Sequence, residues 1–378
     1  MNQVPKVLHV VESLDRGAVE NWLVRMLQHA QRRRLKLDWT FYCTLNKPGP
    51  LEAAARSAGA QILHAPQTIS QTAAFMGALR KALRAGAYDV LHCHHDVTSG
   101  VYLLSAMGLP IGRRIVHVHN ADECLPVSPA KQRLLREPMR RICLALADRI
   151  VGISNHTLDT FLSGRARQPR RDQVHYYGID PAPFAALNAD RQRFRRELGL
   201  ADDALILLFA GRLVPEKNSI FMIDILASLR RMEPCAVCVF SGAGSQEEAV
   251  LARARELGVA DSIRLLGWRT DLPDIMHCGD WFVLPRPEAP MEGFGIAVIE
   301  AQLSGLRLLL SLGVPDDPLL PTAVCRRLPL AAGADVWADV AMDLMRQPAP
   351  SRQAALTALS QSPMDMDRAL DDLLALHG

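Results

Sequence analysis

The chain has 378 residues, of which 49% are hydrophobic and 22% charged, a balance typical of an α/β protein with two or three domains. No apolar run approaches the roughly 18 residues that a membrane-spanning helix needs. Residues 7–11, after Lys6, are too few for the core of a signal peptide, so we expect a cytoplasmic protein. The eight cysteines lie mostly within apolar stretches and are expected to be reduced.

Charge is distributed unevenly along the chain. Residues 1–188 carry 24 Lys and Arg against 14 Asp and Glu, whereas the remainder carries 19 against 26. The basic clusters at residues 32–34, 131–141 and 165–171 are either solvated faces or a contact with an anionic inner-membrane surface or a phosphate-bearing acceptor. Because no aromatic residues interleave with the basic ones, we do not expect nucleic-acid binding.

Short apolar runs alternate with longer amphipathic ones in two series. The first series predicts strands at 7–11, 37–45, 61–64, 90–94, 115–119 and 149–153, with helices at 20–31, 51–58, 69–87 and 131–146. Pro138 should kink or split the last of these helices. After a proline-containing loop at 178–183 and a helix at 191–198, the second series predicts strands at 205–210, 236–240, 263–266, 281–284 and 307–311. This alternation predicts two doubly wound, Rossmann-like domains, divided near residue 188, with a cleft between them.

The segment with the strongest chemical signal is residues 292–300 (EGFGIAVIE). Its glycine-rich turn should lead into a helix whose free N–H groups can donate to ligand oxygens. Glu300 lies within that helix among apolar residues, where a half-buried carboxylate needs a partner such as the hydroxyls of a ribose. The alternative is an ordinary helix with one capping and one exposed glutamate.

A second segment, residues 209–218 (FAGRLVPEKN), combines a buried strand, a glycine turn and two cations. Arg212 and Lys217 converge on the carboxyl end of the strand and suit a diphosphate, since arginine donates a forked pair of hydrogen bonds and lysine supplies a point charge. The alternative is a solvated loop in which these cations pair with Glu216.

These two segments, in this order and spacing, resemble family 4 of the retaining glycosyltransferases, which have the GT-B fold. Residues 299–306 (IEAQLSGL) resemble in particular members that build bacterial exopolysaccharides and capsules. Residues 15–20, 88–94, 147–154 and 178–180 also follow the family's pattern, so the resemblance covers nearly the whole chain. It implies transfer of a sugar from a nucleotide-diphosphate sugar to a saccharide or lipid-linked saccharide, without a metal or other cofactor.

The resemblance also implies the domain roles: residues 1–188 would lie on the acceptor side and 189–355 would bind the nucleotide sugar, while a helix within 356–378 would cross back to the first domain. Glu292 would hold the donor sugar, and His119 would be the active-site histidine at a strand end. With Arg212 and Lys217 these complete the implied catalytic set. The implied donor-binding residues are Gly17, Gly211, Arg212, Lys217, Gly293, Phe294, Gly295 and Glu300.

Several positions depart from the family's pattern. Ala18 replaces the second glycine of the first loop, Tyr177 replaces an asparagine, and Arg286 replaces a small serine. Two other functions therefore stay open: a subunit that binds nucleotide sugar without catalysis, and a nucleotide-sugar epimerase of the same fold. The remaining histidines near strand ends are expected to be structural, because nothing in the sequence places four metal ligands together.

Overall fold

The computed structural model describes residues 4–15, 17–121, 128, 130, 132–187 and 191–378. The chain divides into two compact units, Met1–Ile179 with Pro363–Gly378, and Asp180–Ser362, each built on a parallel sheet. The division therefore follows Ile179 rather than residue 188. The reason is that the Ile179 N–H donates to the Met364 carbonyl at 2.9 Å, which ties this segment to the first unit. Among the described helices, none has both the length and the apolar character needed to cross a bilayer.

The sheet of the first unit has the strand order β3-β2-β1-β4-β5-β6-β7. Its strands are β1 (Lys6–Val11), β2 (Asp38–Cys43), β3 (Gln61–His64), β4 (Val90–Cys93), β5 (Arg113–Val118), β6 (Arg149–Gly152) and β7 (Asp172–Val174). The order reverses between β1 and β4, which is where doubly wound sheets bind their ligands. All but β7, a three-residue edge strand, were predicted from the sequence.

Within the described residues of the first unit, six α-helices precede the division. They are α1 (Ala18–Arg32), α2 (Glu52–Ser57), α3 (Thr72–Gly86), α4 (Ser99–Ser105), α5 (Glu137–Leu146) and α6 (Asn155–Leu162). Pro138 splits the predicted helix as expected, because Gln132–Arg136 form a π-helical turn and α5 begins at Glu137. The proline sits in the first turn of α5, where its missing N–H removes no helical hydrogen bond.

The second unit repeats the same design with the strand order β10-β9-β8-β11-β12-β13. Its strands are β8 (Ile206–Ala210), β9 (Val237–Ser241), β10 (Ile263–Leu265), β11 (Trp281–Leu284), β12 (Arg307–Ser311) and β13 (Cys325–Leu328). Its helices are α7 (Ala182–Ala185), α8 (Arg191–Glu197), α9 (Phe221–Leu229), α10 (Glu247–Glu256), α11 (Leu272–His277), α12 (Ile296–Leu303), α13 (Gly333–Met345) and α14 (Arg352–Gln361). Here the order reverses between β8 and β11, so the loops after these strands are the expected ligand site.

The last helix, α15 (Met366–His377), belongs to the first unit and packs beside α1. Asp371 accepts a 2.8 Å hydrogen bond from Arg33, and the carbonyl of Ala369 lies 2.8 Å from Nε2 of His175. Gly178 permits this close packing, since a Cβ there would lie 2.9 Å from the Cβ of Ala369. The terminal helix is therefore a component of the first unit's core.

We expect Leu373→Ala, which removes a fully buried side chain of α15, to destabilise the first unit by about 2–5 kcal/mol through the cavity it leaves. Thermal unfolding of the full chain would measure the shift. Leu374→Ala, at a half-buried position of the same helix, is the matched control and should cost less. Equal effects of the two substitutions would contradict this packing.

Candidate active site

The loop after β8 begins at Gly211, whose φ of +145° strongly favours glycine. Gly242, after β9, is also required, because a Cβ there would lie 1.9 Å from the Gly211 carbonyl oxygen. The two loops thus meet backbone to backbone. Arg212, which follows Gly211, is exposed at the end of the sheet. Within the described part of the chain, we find no hydrogen bond or ion pair to the Arg212 guanidinium.

Glu292 lies in the loop after β11 and is held by two cations. Its Oε2 accepts from Lys217 Nζ at 2.5 Å and from Arg286 Nη1 at 3.0 Å. The two loops are also joined by Asn218, which adopts a left-handed conformation (φ +51°) and donates through Nδ2 to the Pro285 carbonyl at 3.0 Å. The strand reversal between β8 and β11 therefore brings together the two segments that the sequence singled out, with Arg286 as an additional member.

The electrostatics of this cluster keep Glu292 ionised. Burial by itself would raise the pKa of its carboxyl group, but Lys217, Arg286 and Arg212 outweigh burial and hold the pKa below its ordinary value. A ligand phosphate can compete with Glu292 for Lys217, because both offer anionic oxygens to the same ammonium group. Arg286, which departs from the family's small residue, is itself buried and paired.

The glycine-rich turn continues from Glu292 into α12. Gly295 caps the helix in a left-handed conformation (φ +93°), and Phe294 is buried beneath the turn. For the N–H groups of Gly293 and Gly295, the described residues supply no hydrogen-bond acceptor, so both can donate to a ligand. Glu300 is half-buried in the second turn of α12, as the sequence predicted.

In the first unit, His119 follows β5 directly and is buried. Its backbone N–H donates to Asp96 Oδ1 at 2.8 Å, and Asn120 Nδ2 donates to Asp96 Oδ2 at 2.9 Å. Asp96, which the sequence analysis did not identify, therefore fixes the turn after β5. The only sequence feature that could have indicated a role for Asp96 is its position as a polar residue just beyond the end of the neighbouring strand β4.

The imidazole of His119 is neutral, because burial, with contributions from His95 and His175, lowers its pKa to about 3. Both ring nitrogens have partners: Nδ1 lies 2.8 Å from the Tyr177 hydroxyl, and Nε2 lies 3.0 Å from Nδ1 of His94. Tyr177, which replaces the family's asparagine, therefore contacts the candidate histidine directly.

Gly17 immediately precedes α1, and its carbonyl accepts from the backbone N–H of Asn21 at 3.1 Å. A Cβ at Gly17 would lie 2.1 Å from Oε2 of Glu20, so the glutamate side chain folds back over the loop. Burial raises the pKa of Glu20 to about 7, and the negative charges of Glu12 and Asp15 add smaller contributions in the same direction. This carboxyl group is a further titrating member of the first loop that the sequence analysis missed.

Two family comparisons cover most of the chain. Residues 190–312 match the family described as "Glycosyl transferases group 1", and residues 19–183 match "Glycosyltransferase Family 4". The chain is 25% identical over 378 residues to the "Putative glycosyltransferase EpsF" of Bacillus subtilis (strain 168), covering 98% of this chain and 96% of that protein. It is 24% identical over 238 residues to an Escherichia coli protein named "UDP-Gal:alpha-D-GlcNAc-diphosphoundecaprenol alpha-1,3-galactosyltransferase", covering 62% of this chain and 60% of that one.

Among solved structures, the Anabaena protein Alr3699/HepE in complex with UDP-glucose superposes with a TM-score of 0.78 at 18% identity. The superposition covers 98% of each chain. WaaG, a glycosyltransferase involved in lipopolysaccharide biosynthesis, superposes with a TM-score of 0.70 at 16% identity, over 97% of this chain and 99% of that one. The predicted fold of two doubly wound domains is thereby confirmed.

Glu20 gives a prediction for stability against pH. Because its pKa is raised in the folded state, its contribution is fully present below about pH 4.5 and is lost as the pH rises through about 7. Relative to the wild type, Glu20→Gln should therefore gain on the order of 2 kcal/mol of unfolding free energy between pH 5 and pH 8.5. Chemical denaturation at both pH values measures this gain, and Glu248→Gln, at an exposed position of α10, should show none. A pH-independent difference for Glu20→Gln would refute the assignment.

Proposed function

This chain belongs to glycosyltransferase family 4 and has the GT-B fold, and on that basis we propose that it transfers a hexose from a uridine diphosphate sugar with retention of configuration. The acceptor is a saccharide or lipid-linked saccharide of polysaccharide biosynthesis. The choice of donor is supported by the similar Anabaena structures with UDP and UDP-glucose, and the acceptor class by the Escherichia coli relative named above.

The observation that carries this proposal is the cluster of Arg212, Lys217 and Glu292 where the strand order of the second sheet reverses. Arg212 and Lys217 bind the diphosphate of the donor and neutralise the charge that grows on it as it leaves. When Lys217 turns to the phosphate, Arg286 still balances the charge of Glu292 at 3.0 Å. The carboxylate then accepts hydrogen bonds from hydroxyls of the donor sugar.

Further donor contacts follow from the family resemblance. The Gly293 and Gly295 amides donate to donor oxygens at the start of α12, and Glu300 accepts from the ribose hydroxyls. The backbone at Gly17 approaches the diphosphate, with Ala18 beginning the helix behind it. His119 contributes a neutral imidazole at the end of β5.

In the reaction, the bond between the anomeric carbon and the diphosphate oxygen breaks, and an oxocarbenium-like carbon forms. The acceptor hydroxyl bonds to that carbon on the same face, and its proton passes to the departing phosphate oxygen. This route needs no second carboxylate across the sugar ring, unlike a glycosidase pair. It also needs no metal ion, because Arg212 and Lys217 supply the positive charge.

We also propose that the first unit contacts an anionic membrane through a surface at its π-helical turn. Leu134 and Leu135 are 71% and 57% exposed, and Arg133 and Arg141, which are close to them in the sequence, are exposed as well. Exposed leucines flanked by arginines match the chemistry of an anionic lipid interface. Such contact would place the protein at the inner face of the membrane, near a lipid-linked acceptor.

A screen of nucleotide sugars for release of nucleoside diphosphate tests the transfer. We expect release with a uridine diphosphate hexose in the presence of acceptor extract, and a loss on the order of 10²–10³-fold in Arg212→Ala. Arg346→Ala, at an exposed arginine after α13, is the control and should keep wild-type turnover. Unchanged turnover in Arg212→Ala would remove this residue from the mechanism. Donor binding without release by the wild type would instead indicate a non-catalytic subunit.

Flotation with phosphatidylglycerol vesicles tests the membrane surface. The wild type should float at low salt, and replacing Leu134 and Leu135 by serine should weaken binding by about tenfold or more, because the apolar area is lost. Trp268→Ser, which removes an apolar side chain in the second unit that is 53% exposed, should leave binding unchanged. A wild-type protein that stays unbound at low salt would overturn the proposal.

A further inference from the structure

The first unit contains a group of buried histidines that transfer chemistry does not require beyond His119. They are His9 on β1, His92 and His94 at the end of β4, His117 and His119 at the end of β5, His175 after β7, and His377 in α15. Strand residues two apart share one face of a sheet, and the register sets His9 beside His92. The histidines at the ends of β4 and β5 therefore gather on one face, at the carboxyl end of the sheet.

Three of these imidazoles form a continuous hydrogen-bonded chain with Tyr177. Nδ1 of His9 lies 3.1 Å from Nε2 of His94, and Nδ1 of His94 lies 3.0 Å from Nε2 of His119. Nδ1 of His119 then lies 2.8 Å from the Tyr177 hydroxyl. Because a neutral imidazole offers one N–H and one lone pair, every proton in this chain must point in the same direction.

The hydrogen-bonded chain of three imidazoles and the Tyr177 phenol is made of neutral groups. Burial is the main cause that lowers the pKa of His9, His94 and His119, and neighbouring histidines lower it further. Within the described residues, no carboxylate is hydrogen-bonded to any of the three rings. Each ring therefore carries a single proton at neutral pH, and the only freedom left is which nitrogen carries it.

The phenol of Tyr177 decides that choice, because its O–H is a stronger acid than an imidazole N–H and is the better donor to a ring nitrogen. With Tyr177 donating to Nδ1, His119 keeps its proton on Nε2 and donates it to His94. His94 in turn donates from Nε2 to Nδ1 of His9. The last proton then lies on Nε2 of His9, for which the described residues supply no hydrogen-bond partner, and the ring of His9 packs against Trp39 with centroids 4.4 Å apart.

We propose that Tyr177 and the His94–His9 pair are positioning residues that hold His119 as the neutral tautomer protonated on Nε2. Nδ1 of His119 then only accepts hydrogen bonds, so it can receive one from a ligand hydroxyl in place of the tyrosine. It does not protonate the departing diphosphate. This assignment of a role in transfer rests on the proposed function, whereas the tautomer itself is a property of the folded first unit.

A metal ion is the competing occupant of this cluster. The nitrogens of His9, His92 and His94, and those of His94, His117 and His119, lie within 4.8 Å of one another in each group of three. The hydrogen bonds favour neutral imidazoles, because each N···N contact already uses a lone pair that a metal would need. Metal-bound histidines are also usually supported by a carboxylate or carbonyl on the other ring nitrogen.

Long-range ¹H–¹⁵N NMR of the full chain, with ring-¹⁵N-labelled histidine, tests the tautomer. We expect one protonated Nε2 and one unprotonated Nδ1 in each of His9, His94 and His119. Tyr177→Phe removes the donor, so the ring-nitrogen signals of His119 should change and the change should extend to His94. Tyr176→Phe is the matched control, since that hydroxyl bonds to Asn155 at 3.2 Å, outside the chain of rings, and it should leave these signals unaltered.

A second pair of variants keeps the test decisive if Tyr177→Phe does not fold. His9→Gln retains an acceptor for the N–H of His94, so the ring-nitrogen signals of His94 should stay close to those of the wild type. His9→Leu removes that acceptor and should shift the signals of His94. Protonation on Nδ1 in the wild type, or signals of His94 that ignore Tyr177→Phe, would overturn the proposal. So would one equivalent of metal in the purified protein. A protein that fails every donor screen yet shows the expected tautomers would refute the transfer function and leave the histidine chain intact.

Discussion

The second unit depends on one constraint: the carboxylate of Glu292, whose side chain is only 14% exposed, must be balanced by positive charge. Lys217 reaches it from the loop after β8, and Arg286 reaches it from its own loop after β11. Removing both cations would leave the carboxylate uncompensated with little access to water, which costs far more than the ion pairs themselves gain. The need for charge balance therefore joins the two loops that flank the reversal of strand order. Arg286, which departs from the family's small residue, is thereby a second partner of this carboxylate.

The first unit solves the same problem of polar groups in a core by a different route. Its histidines are buried without charge, and several of them bond to one another through an N–H and a lone pair rather than through ions. The two units thus bury polar groups in different ways: cations balance a carboxylate in the second unit, and neutral imidazoles bond to one another in the first. Tyr177, another departure from the family's pattern, belongs to this neutral network because its phenol is within hydrogen-bond distance of His119.

Most strands followed from the alternation of apolar and amphipathic runs, because a buried parallel strand needs a short apolar sequence. The exceptions were the edge strands β7 and β13, whose residues are mostly polar or charged, as edges permit. The domain boundary was displaced because a backbone hydrogen bond from Ile179 reaches Met364, far along the chain. Asp96 and Glu20 escaped notice for a similar reason, since their roles arise from partners and burial rather than from a motif.

By itself the sequence determined the α/β class and the two-domain plan, because both depend on local periodicity that can be recognised without knowledge of contacts. Its resemblance to a known family implied that Arg212 and Lys217 act together with residues 292–300. Only the tertiary structure decided that Arg286 pairs with Glu292 and that His92 meets His377, which lies 285 residues away in the chain. The physical reason is that charge balance and imidazole protonation are set by burial and by neighbours across the fold, and neither is written in the order of residues along one segment.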